Sequence, residues 1–405
     1  MTKVLEGVRV VEVSLYGFVP SAGAVLADWG ADVIKIEHPD QGDPMRGLVV
    51  SGIRPEDVGL TFMWEIVNRG KRSVAIDLGV ADGRQLLLDM VAEADVFLTN
   101  FLPSARRKLG IDVEDIMGRN PGIVFARGSG QGPKGPEADK GGFDAISYWY
   151  RTGISAAVTP PDHPMPIRMP GPAFGDVQSG MMLAGGIGAA LAYRARTGQG
   201  VVVDVSLLAA GLWAMQPGVL GTQLTGADEL PKPARVSLGN PLVNTYRTAD
   251  GRFVALNMLQ GDRYWADLCT AMGRPDLIDD PELATADLRA EHVDRCVAVL
   301  DDLFGRRSLA EWQDVLSRQE GQWDIVRVVR EANDDTQALA NGYVTPVTFD
   351  DGRVFNLVSA PVQFDETAPE LRPGPALGAH TEEVLLEMGR SWDEIGHLKE
   401  AKAII

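Results

Sequence analysis

The sequence predicts an α/β protein, with a parallel sheet in a first domain and a smaller, mixed α+β second domain. Short apolar runs rich in β-branched residues alternate with helical segments through the first 220 residues. This pattern is typical of parallel strands that are buried between two layers of helices. Further along the chain, Asp-Gly pairs separate short apolar runs, which predicts antiparallel hairpins.

The predicted elements follow from these two patterns. The strands cover residues 9–14, 32–37, 73–78, 95–100 and 122–128, and the helices cover 21–31, 81–94 and the region around 104–120. Residues 225–241 are rich in proline, glycine and charge, which indicates a linker between domains. The two hairpins turn at Asp250-Gly251 and Asp351-Gly352. We therefore expect a large domain over 1–220, a linker and small domain over 221–365, and a C-terminal segment over 366–405.

The composition excludes several classes of partner. The 405 residues are 45% hydrophobic and 23% charged, with a formal net charge of −18. This negative charge disfavours nucleic acid and anionic membranes as partners. No run approaches the ~20 apolar residues that a membrane span needs, and the N-terminus lacks a signal-peptide pattern. We expect a cytoplasmic protein.

Cysteine and histidine spacing excludes other kinds of site. Cys269 and Cys296 lie on apolar faces of helical segments, which indicates buried thiols rather than a disulfide framework. The five histidines are scattered through the chain without ligand spacing, so no metal site is expected.

Basic residues concentrate in two short loops that flank predicted strands. The first loop contains Arg69, Lys71 and Arg72, and the second contains Arg106, Arg107 and Lys108. Loops at the carboxyl ends of parallel strands bind ligands, and guanidinium and ammonium groups bind phosphates. A polyphosphate ligand fits this arrangement, and a solvated surface would have the same composition.

A single carboxylate, Asp176, stands near the start of the apolar helical run GPAFGDVQSGMMLAGGIGAALA, residues 171–192. As a helix N-cap, its side chain would accept N–H bonds from the first turn. The neighbouring glycines also leave this carboxylate sterically open, and an open aspartate can act as a covalent nucleophile. The residues alone leave both roles open.

Several stretches of the chain form an ordered set of motifs. They are LEGVRVVEVS, SAGAVLADWGADVIKIEHPDQGD, NRGKRSVAIDL, DVFLTNFLPSARRKLG, GGFDAISYWYRTG, GPAFGDVQSGMMLAGGIGAAL, RTGQGVVVDVSLL and PALGAHTEEVL. They cover nearly the whole chain in order and are sparsest in the second domain. This set is similar to the motifs of the class III CoA-transferases, a family that also includes α-methylacyl-CoA racemase as a divergent branch.

The resemblance implies a Rossmann-like large domain, a linker, a small domain and a C-terminal segment that returns to the large domain. It also implies a homodimer of two interlocked chains, with Asp176 as the nucleophile. The implied CoA contacts are Tyr16, Gly17, His38, Ile76, Asp77, Leu78, Asn100, Phe101, Leu102, Lys108, Gly142, Phe143 and Asp144. Acyl-CoA and a carboxylic acid are the implied substrates, with no permanently bound cofactor.

The implied mechanism is carboxylate chemistry on Asp176. The aspartate attacks the acyl-CoA thioester to give a mixed anhydride and free CoA thiolate. The thiolate then forms an aspartyl-CoA thioester, and the acceptor acid repeats the sequence in reverse. Backbone N–H groups at the start of the helix are expected to stabilise the oxyanions.

Two other functions stay open. Racemases of this family have a histidine where this chain has Phe143, and phenylalanine cannot transfer a proton, so a racemase is the second hypothesis. The third is a CoA-binding dimeric protein without catalysis, against which the presence of Asp176 argues. A further set of residues belongs either to an apolar acyl pocket or to the core: Tyr148, Trp149, Tyr150, Met165 and Met169.

Overall fold

The computed structural model describes residues 2–232 and 234–405, which form two compact units. Unit 1 contains the described residues up to 230 together with residues 335–405, and unit 2 contains residues 231–334. The strands are β1 (Arg9–Val13), β2 (Asp32–Glu37), β3 (Arg72–Ala75), β4 (Val96–Thr99), β5 (Val124–Ser129), β6 (Val202–Ser206), β7 (Val243–Arg247), β8 (Phe253–Asn257), β9 (Trp323–Ile325), β10 (Val344–Thr348) and β11 (Val354–Val358).

The helices lie between these strands and after them. They are α1 (Phe18–Asp28), α2 (Pro55–Val58), α3 (Phe62–Asn68), α4 (Ala81–Ala92), α5 (Pro103–Leu109), α6 (Val113–Arg119), α7 (Ile154–Val158), α8 (Phe174–Thr197), α9 (Leu207–Ala214), α10 (Gln216–Thr225), α11 (Gly261–Ala271), α12 (Ala286–Glu291), α13 (Val293–Phe304), α14 (Leu309–Leu316), α15 (Thr336–Ala340), α16 (Thr381–Glu387) and α17 (Trp392–Glu400). A π-helix covers Ala145–Tyr150. No helix among the described residues is both long and apolar enough to cross a membrane.

A six-stranded parallel sheet in the order β3-β2-β1-β4-β5-β6 forms the centre of unit 1. Alternate side chains enter two cores: Val10 packs with α1 and α8 on one face, and Val11 packs with α4 and α16 on the other. The predicted parallel sheet between two helical layers is therefore confirmed. The predicted helix around 104–120 is two helices, because Gly110 ends α5 in a left-handed conformation with φ 67°.

The chain after residue 335 returns to unit 1. In the β10–β11 hairpin, the Arg353 guanidinium donates hydrogen bonds to the carbonyls of Val58 and Gly59, at 2.8 and 2.6 Å. Near the C-terminus, the N–H of Asp77 donates to the carbonyl of Ala403 at 2.8 Å. Because of such contacts, the units divide at residues 231 and 334, whereas we expected domain boundaries at 220 and 365.

Unit 2 has its own core around a three-stranded antiparallel sheet of β7, β8 and β9. Both predicted hairpins are confirmed, the first in unit 2 and the second in unit 1. Cys269 and Cys296 are buried free thiols, as predicted, and burial raises the pKa of each to about 12. These thiols are therefore unreactive packing groups.

Candidate active site

Asp176 lies in the first turn of α8, not at its N-cap. The helix begins at Phe174 and its N-cap is Ala173, so Asp176 is the third helical residue. Only 9% of Asp176 is exposed. The interpretation of Asp176 as a helix cap is therefore wrong, and its burial needs another explanation.

The packing of α8 against α1 brings Asp176 to the loop that follows β1. At the crossing, a Cβ on Gly180 would overlap the hydroxyl of Ser21, so only glycine permits this approach. One turn earlier, a Cβ on Gly17 would overlap the carboxylate oxygen Oδ2 of Asp176. Gly17 therefore forms one wall of the space around the Asp176 carboxylate.

Two partly exposed aromatic rings belong to the residues that precede Gly17 and Asp144 in the chain. Tyr16 precedes Gly17 and has a left-handed backbone with φ 65°. Its ring meets that of Phe143 edge to face, with centroids 5.2 Å apart. Tyr16 is 37% exposed and Phe143 is 55% exposed, so both rings are accessible from solvent.

Asp144 caps α8 from outside the helix. Its Oδ2 accepts the N–H of Gly175 at 3.2 Å and its Oδ1 accepts the N–H of Ala145 at 2.8 Å. The N–H of Asp176 also faces this carboxylate. The N–H groups at the helix start, which we expected to stabilise oxyanions, therefore point to Asp144.

Asp144 and Asp176 form a pair of buried acids. Burial, and then the charge of Asp144, raises the pKa of Asp176 to about 8, and burial also raises the pKa of Asp144. Across residues 2–232 and 234–405, neither acid forms an ion pair with a lysine or arginine. A carboxylate in this environment is poorly solvated, which favours its reaction with an electrophilic carbonyl.

The other predicted CoA contacts lie at the carboxyl edge of the sheet or next to it. His38 follows β2, and its Nε2 lies 3.8 Å from Oδ2 of Asp77. Asn100 follows β4, and its side chain binds both backbone groups of Leu15, at 2.6 Å to the carbonyl and 3.0 Å to the N–H. The side chain of Asn100 therefore supports the loop after β1.

The five remaining predicted contacts, which differ in accessibility, are Ile76, Leu78, Phe101, Leu102 and Gly142. Ile76 and Leu78 are buried in the core beneath the edge, while Phe101 and Leu102 are half-buried. A Cβ on Gly142 would overlap the hydroxyl of Ser147.

The first basic loop is not a phosphate site. Its three cations pair within the chain: Arg69 with Asp28, Lys71 with Glu12 and Arg72 with Asp32, at 2.6, 2.7 and 2.6 Å. Arg69 and Lys71 are also buried. The expectation that this loop faces phosphate is therefore wrong, because its charges are already neutralised inside unit 1.

The second basic loop keeps accessible charge on α5. Arg106 is buried, lies 2.9 Å from Asp112 and donates to the carbonyl of Phe101 at 2.7 Å. Arg107 is exposed and reaches Asp139 only at 3.8 Å. Lys108 is exposed, and the described part of the chain places no carboxylate within ion-pair distance of it.

Three further charged residues support the loop after β1 and were missed in the sequence. Glu12 on β1 and Lys35 on β2 are fully buried, and the carboxylate of Asp43 accepts the N–H of Tyr16 at 3.1 Å. The sequence contained one signal for them. Glu12 and Lys35 are charged residues inside predicted buried strands, where an unpaired charge is strongly unfavourable.

Phe143 and the aromatic residues near it divide between surface and core. Tyr148 and Trp149 are buried, and Tyr148 belongs to the same core as α1 and α8. Tyr150 and Met165 are exposed, and Met169 is half-buried. The core interpretation therefore holds for Tyr148 and Trp149.

Comparisons with known proteins agree with this geometry. The model for CoA-transferase family III matches residues 5–381. (R)-2-hydroxy-4-methylpentanoate CoA-transferase of Clostridioides difficile is 34% identical over 99% of both chains. Cinnamoyl-CoA:phenyllactate CoA-transferase of Clostridium sporogenes is 32% identical over 100% of this chain and 98% of that protein.

The fold is also similar to that of a solved structure. A CaiB/BaiF family protein from Brucella suis superposes with a TM-score of 0.79 at 26% identity, covering 96% of this chain and 100% of that one. The parallel sheet and these relatives define an enzyme that transfers CoA. The chain belongs to CoA-transferase family III, which confirms the family and the enzyme class predicted from the sequence.

Proposed function

We propose that this enzyme transfers CoA between carboxylic acids through covalent intermediates on Asp176. The observation that supports this most directly is the position of the Asp176 carboxylate. It is buried against Gly17 and beside a second acid, Asp144. Burial makes this carboxylate a stronger nucleophile, because it has little solvation to lose when it attacks.

The proposed reaction has four steps. A carboxylate oxygen of Asp176 attacks the acyl carbonyl, the C–S bond breaks, and CoA leaves as the thiolate beside a mixed anhydride. The thiolate then attacks the aspartyl carbonyl, which releases the donor acid and leaves an aspartyl-CoA thioester. The acceptor carboxylate attacks that thioester and expels the thiolate. The thiolate finally attacks the acceptor's acyl carbonyl and regenerates Asp176.

The proposed CoA site extends from Asp176 along the carboxyl edge of the sheet. Tyr16 and Phe143 contact the ligand beside the reacting carbonyl, while His38 and Asp77 border the loops after β2 and β3. Lys108 binds a phosphate of the nucleotide, since its ammonium is exposed and has no carboxylate partner among the described residues. Such a charge-assisted contact adds affinity without any change in the fold.

The proposed substrates are acids with apolar side chains. A buried apolar cluster packs at the start of α8 and consists of Met45, Val50, Met63, Trp64, Val67 and Ala173, with Leu48 and Phe62 packed against it. Its core members are at most 9% exposed, so this cluster supports the helix start rather than providing open space for the acyl group. Two relatives named above are an (R)-2-hydroxy-4-methylpentanoate CoA-transferase and a cinnamoyl-CoA:phenyllactate CoA-transferase. Their names support 2-hydroxy acids with branched or aromatic side chains as substrates of this enzyme.

We also propose a homodimer. The helices α9 and α10 expose Trp213, Leu220 and Leu224 at 64, 58 and 78%, and a patch of this kind on a soluble protein marks a contact surface. The family resemblance supports two interlocked chains. Light scattering on the eluting peak of a size-exclusion column measures the mass, which should be twice the 43.6 kDa of one chain.

Chemical trapping tests the covalent mechanism. The enzyme is incubated with an acyl-CoA and hydroxylamine, and peptides are then examined by mass spectrometry. We expect loss of activity and a hydroxamate on the peptide that contains Asp176. The Asp176→Asn variant is the control for labelling and should show no acyl-CoA-dependent hydroxamate on this peptide.

The same experiment separates the other two functions. A racemase would exchange the α-proton of acyl-CoA in deuterated water without labelling Asp176. A CoA-binding protein would show neither exchange nor label. Either result would contradict the covalent role.

A further inference from the structure

We propose that a buried network of ion pairs holds the β1–α1 loop against Asp176, and that Asp43 is the positioning residue that sets the conformation of this loop. The network consists of Glu12, Lys35, Asp43 and Lys71, and we call it the loop clamp. The inference rests on the proposed covalent role of Asp176, because the loop is held where it contacts that carboxylate.

The four charges of the loop clamp balance one another inside unit 1. The ammonium of Lys35 lies 3.1 Å from Oε1 of Glu12 and 3.0 Å from Oδ2 of Asp43. The ammonium of Lys71 lies 2.7 Å from Oε2 of Glu12. All four side chains are fully buried. Burial lowers the pKa of Lys35, but the carboxylates of Glu12 and Asp43 outweigh it and raise that pKa overall, so Lys35 stays charged.

Both cations also bind backbone carbonyls on either side of the loop. Lys35 donates to the carbonyl of Ser14 and Lys71 donates to the carbonyl of Pro20, each at 2.8 Å. Ser14 directly follows β1 and Pro20 lies in the first turn of α1, so the two carbonyls flank the segment between them. The loop clamp therefore fixes both ends of the segment that contains Tyr16 and Gly17.

Asp43 acts on the middle of the loop. Its Oδ1 accepts the N–H of Tyr16 at 3.1 Å and that of Met45 at 2.9 Å, while its Oδ2 faces Lys35. Tyr16 has φ 65°, a left-handed conformation that is unfavourable for a tyrosine and persists only when neighbouring groups hold it. This conformation turns the next residue, Gly17, toward the Asp176 carboxylate.

Another buried ion pair in unit 1 provides a matched control. Arg69 and Asp28 are buried and lie 2.6 Å apart, and Asp28 also accepts the N–H of Ala360 at 3.0 Å. None of these bonds reaches the β1–α1 loop. Removal of the Arg69 charge should therefore destabilise the fold without changing the surroundings of Asp176.

The test compares three full-length variants: Asp43→Ala, Asp43→Asn and Arg69→Met. A rapid-quench experiment at saturating acyl-CoA measures the single-turnover rate at which Asp176 is acylated, and calorimetry measures Tm. We expect Asp43→Ala to acylate Asp176 roughly tenfold to 100-fold more slowly, as is typical for a misplaced reacting group. Asp43→Asn should recover part of the rate, because its amide oxygen can still accept the N–H of Tyr16.

Arg69→Met should lower Tm as Asp43→Ala does and acylate Asp176 at the wild-type rate. If it slows acylation as much as Asp43→Ala, the loop clamp has only a general structural role and the inference is overturned. If Asp43→Ala does not fold, Asp43→Asn tests the ion-pair network instead, since it loses the ion pair with Lys35 and keeps an acceptor for the N–H of Tyr16. An acylation rate equal to that of the wild type would then overturn the inference.

A crystal structure of each Asp43 variant keeps this inference distinct from the proposed function. Absence of label on wild-type Asp176 would overturn the covalent mechanism alone. In Asp43→Ala we expect Tyr16 to leave the left-handed conformation and Gly17 to move away from Asp176. An Asp43→Ala loop that keeps both features would overturn the inference, whatever the result of the labelling.

Discussion

Two groups of buried charges in unit 1 follow opposite arrangements. In the loop clamp, two carboxylates and two ammonium groups neutralise one another. At the start of α8, two carboxyl groups, Asp144 and Asp176, lie together, and no lysine or arginine of the described residues pairs with them. Buried charges are tolerated when they are paired and are unfavourable when they are not.

The loop clamp, whose charges are paired, holds the site in place, whereas Asp176, whose charge is not paired, is the group that reacts. A paired network fixes geometry, while an unpaired acid remains available to a substrate. The unfavourable placement of Asp176 is stable only because the surrounding fold provides enough favourable contacts.

The largest effect is expected from Asp176→Ala. This variant lacks the nucleophile, so CoA transfer between acids should fall by at least roughly 10³-fold. CoA affinity should change little, because the basic and backbone groups at the sheet edge remain. Mass spectrometry of acyl-CoA products measures turnover and calorimetric titration measures affinity. Retention of more than a few per cent of turnover would rule out the mechanism.

The next effect is on stability. Lys35→Met removes one cation from the loop clamp and leaves Glu12 and Asp43 with fewer partners, so the free energy of unfolding should fall by about 3–5 kcal/mol. Chemical denaturation measures it. Lys108→Met is the control, since Lys108 is exposed and its replacement should change stability by less than ~0.5 kcal/mol. Equal effects at the two positions would contradict the comparison between paired and solvated charges.

A gain in stability is expected from Asp176→Asn. The unfolded chain ionises Asp176 near pH ~4, whereas the folded enzyme does so only near its raised pKa of about 8. Between these values the folded state holds a proton that the unfolded state lacks, so wild-type stability falls as pH rises. The asparagine in the variant does not ionise, so the variant does not lose stability in this way as pH rises. Its free energy of unfolding should therefore exceed that of the wild type by roughly 2 kcal/mol at pH 8.

Denaturation of both proteins at pH 4, 6 and 8 measures this difference. The advantage of Asp176→Asn should grow across the series. A constant difference would mean that the carboxyl group is not destabilised by burial and by Asp144.

The comparison also explains which features the sequence predicted. Strand β2 was predicted with its observed bounds and the Asp250-Gly251 turn was correct, because apolar periodicity and turn residues are local signals. Membership of the family was predicted from ordered motifs. These features depend on residues that are neighbours in the chain.

The family resemblance placed Gly17 and Asp144 at the site with Asp176, but the partners of the buried charges depend on contacts between distant residues and were not predicted. Asp144 caps α8 across 31 positions of sequence, and Lys71 reaches Glu12 across 59. The sequence showed the charges of the first basic loop but not their partners on other elements. Composition alone therefore made a buried structural cluster look like a phosphate site.

A smaller effect is expected in the pH profile of Asp144→Asn. The charge of Asp144 contributes to the raised pKa of Asp176, after burial, so its removal should lower that pKa. Asp176 must be ionised to attack, and kcat/KM should rise through a pH near 8 in the wild type. In the variant, this rise should occur at lower pH. An unchanged profile would show that burial alone sets the pKa.

The smallest effect is expected from Lys108→Ala, which extends the comparison to an exposed cation. If Lys108 binds a phosphate of CoA, the variant should bind CoA about 1 kcal/mol more weakly at low salt, a modest value because the contact is solvated. The difference should shrink as salt is added, since such contacts are screened over ~10 Å at 0.1 M. Arg107→Ala is the matched control on the same helix, because Arg107 already faces Asp139. Titration with CoA and with dephospho-CoA locates the contact: a lysine that binds the 3′-phosphate should lose its contribution when that phosphate is absent. If Lys108→Ala and Arg107→Ala bind both ligands equally well, α5 does not contact the nucleotide, and the proposed CoA site ends at the loops after β1 to β4.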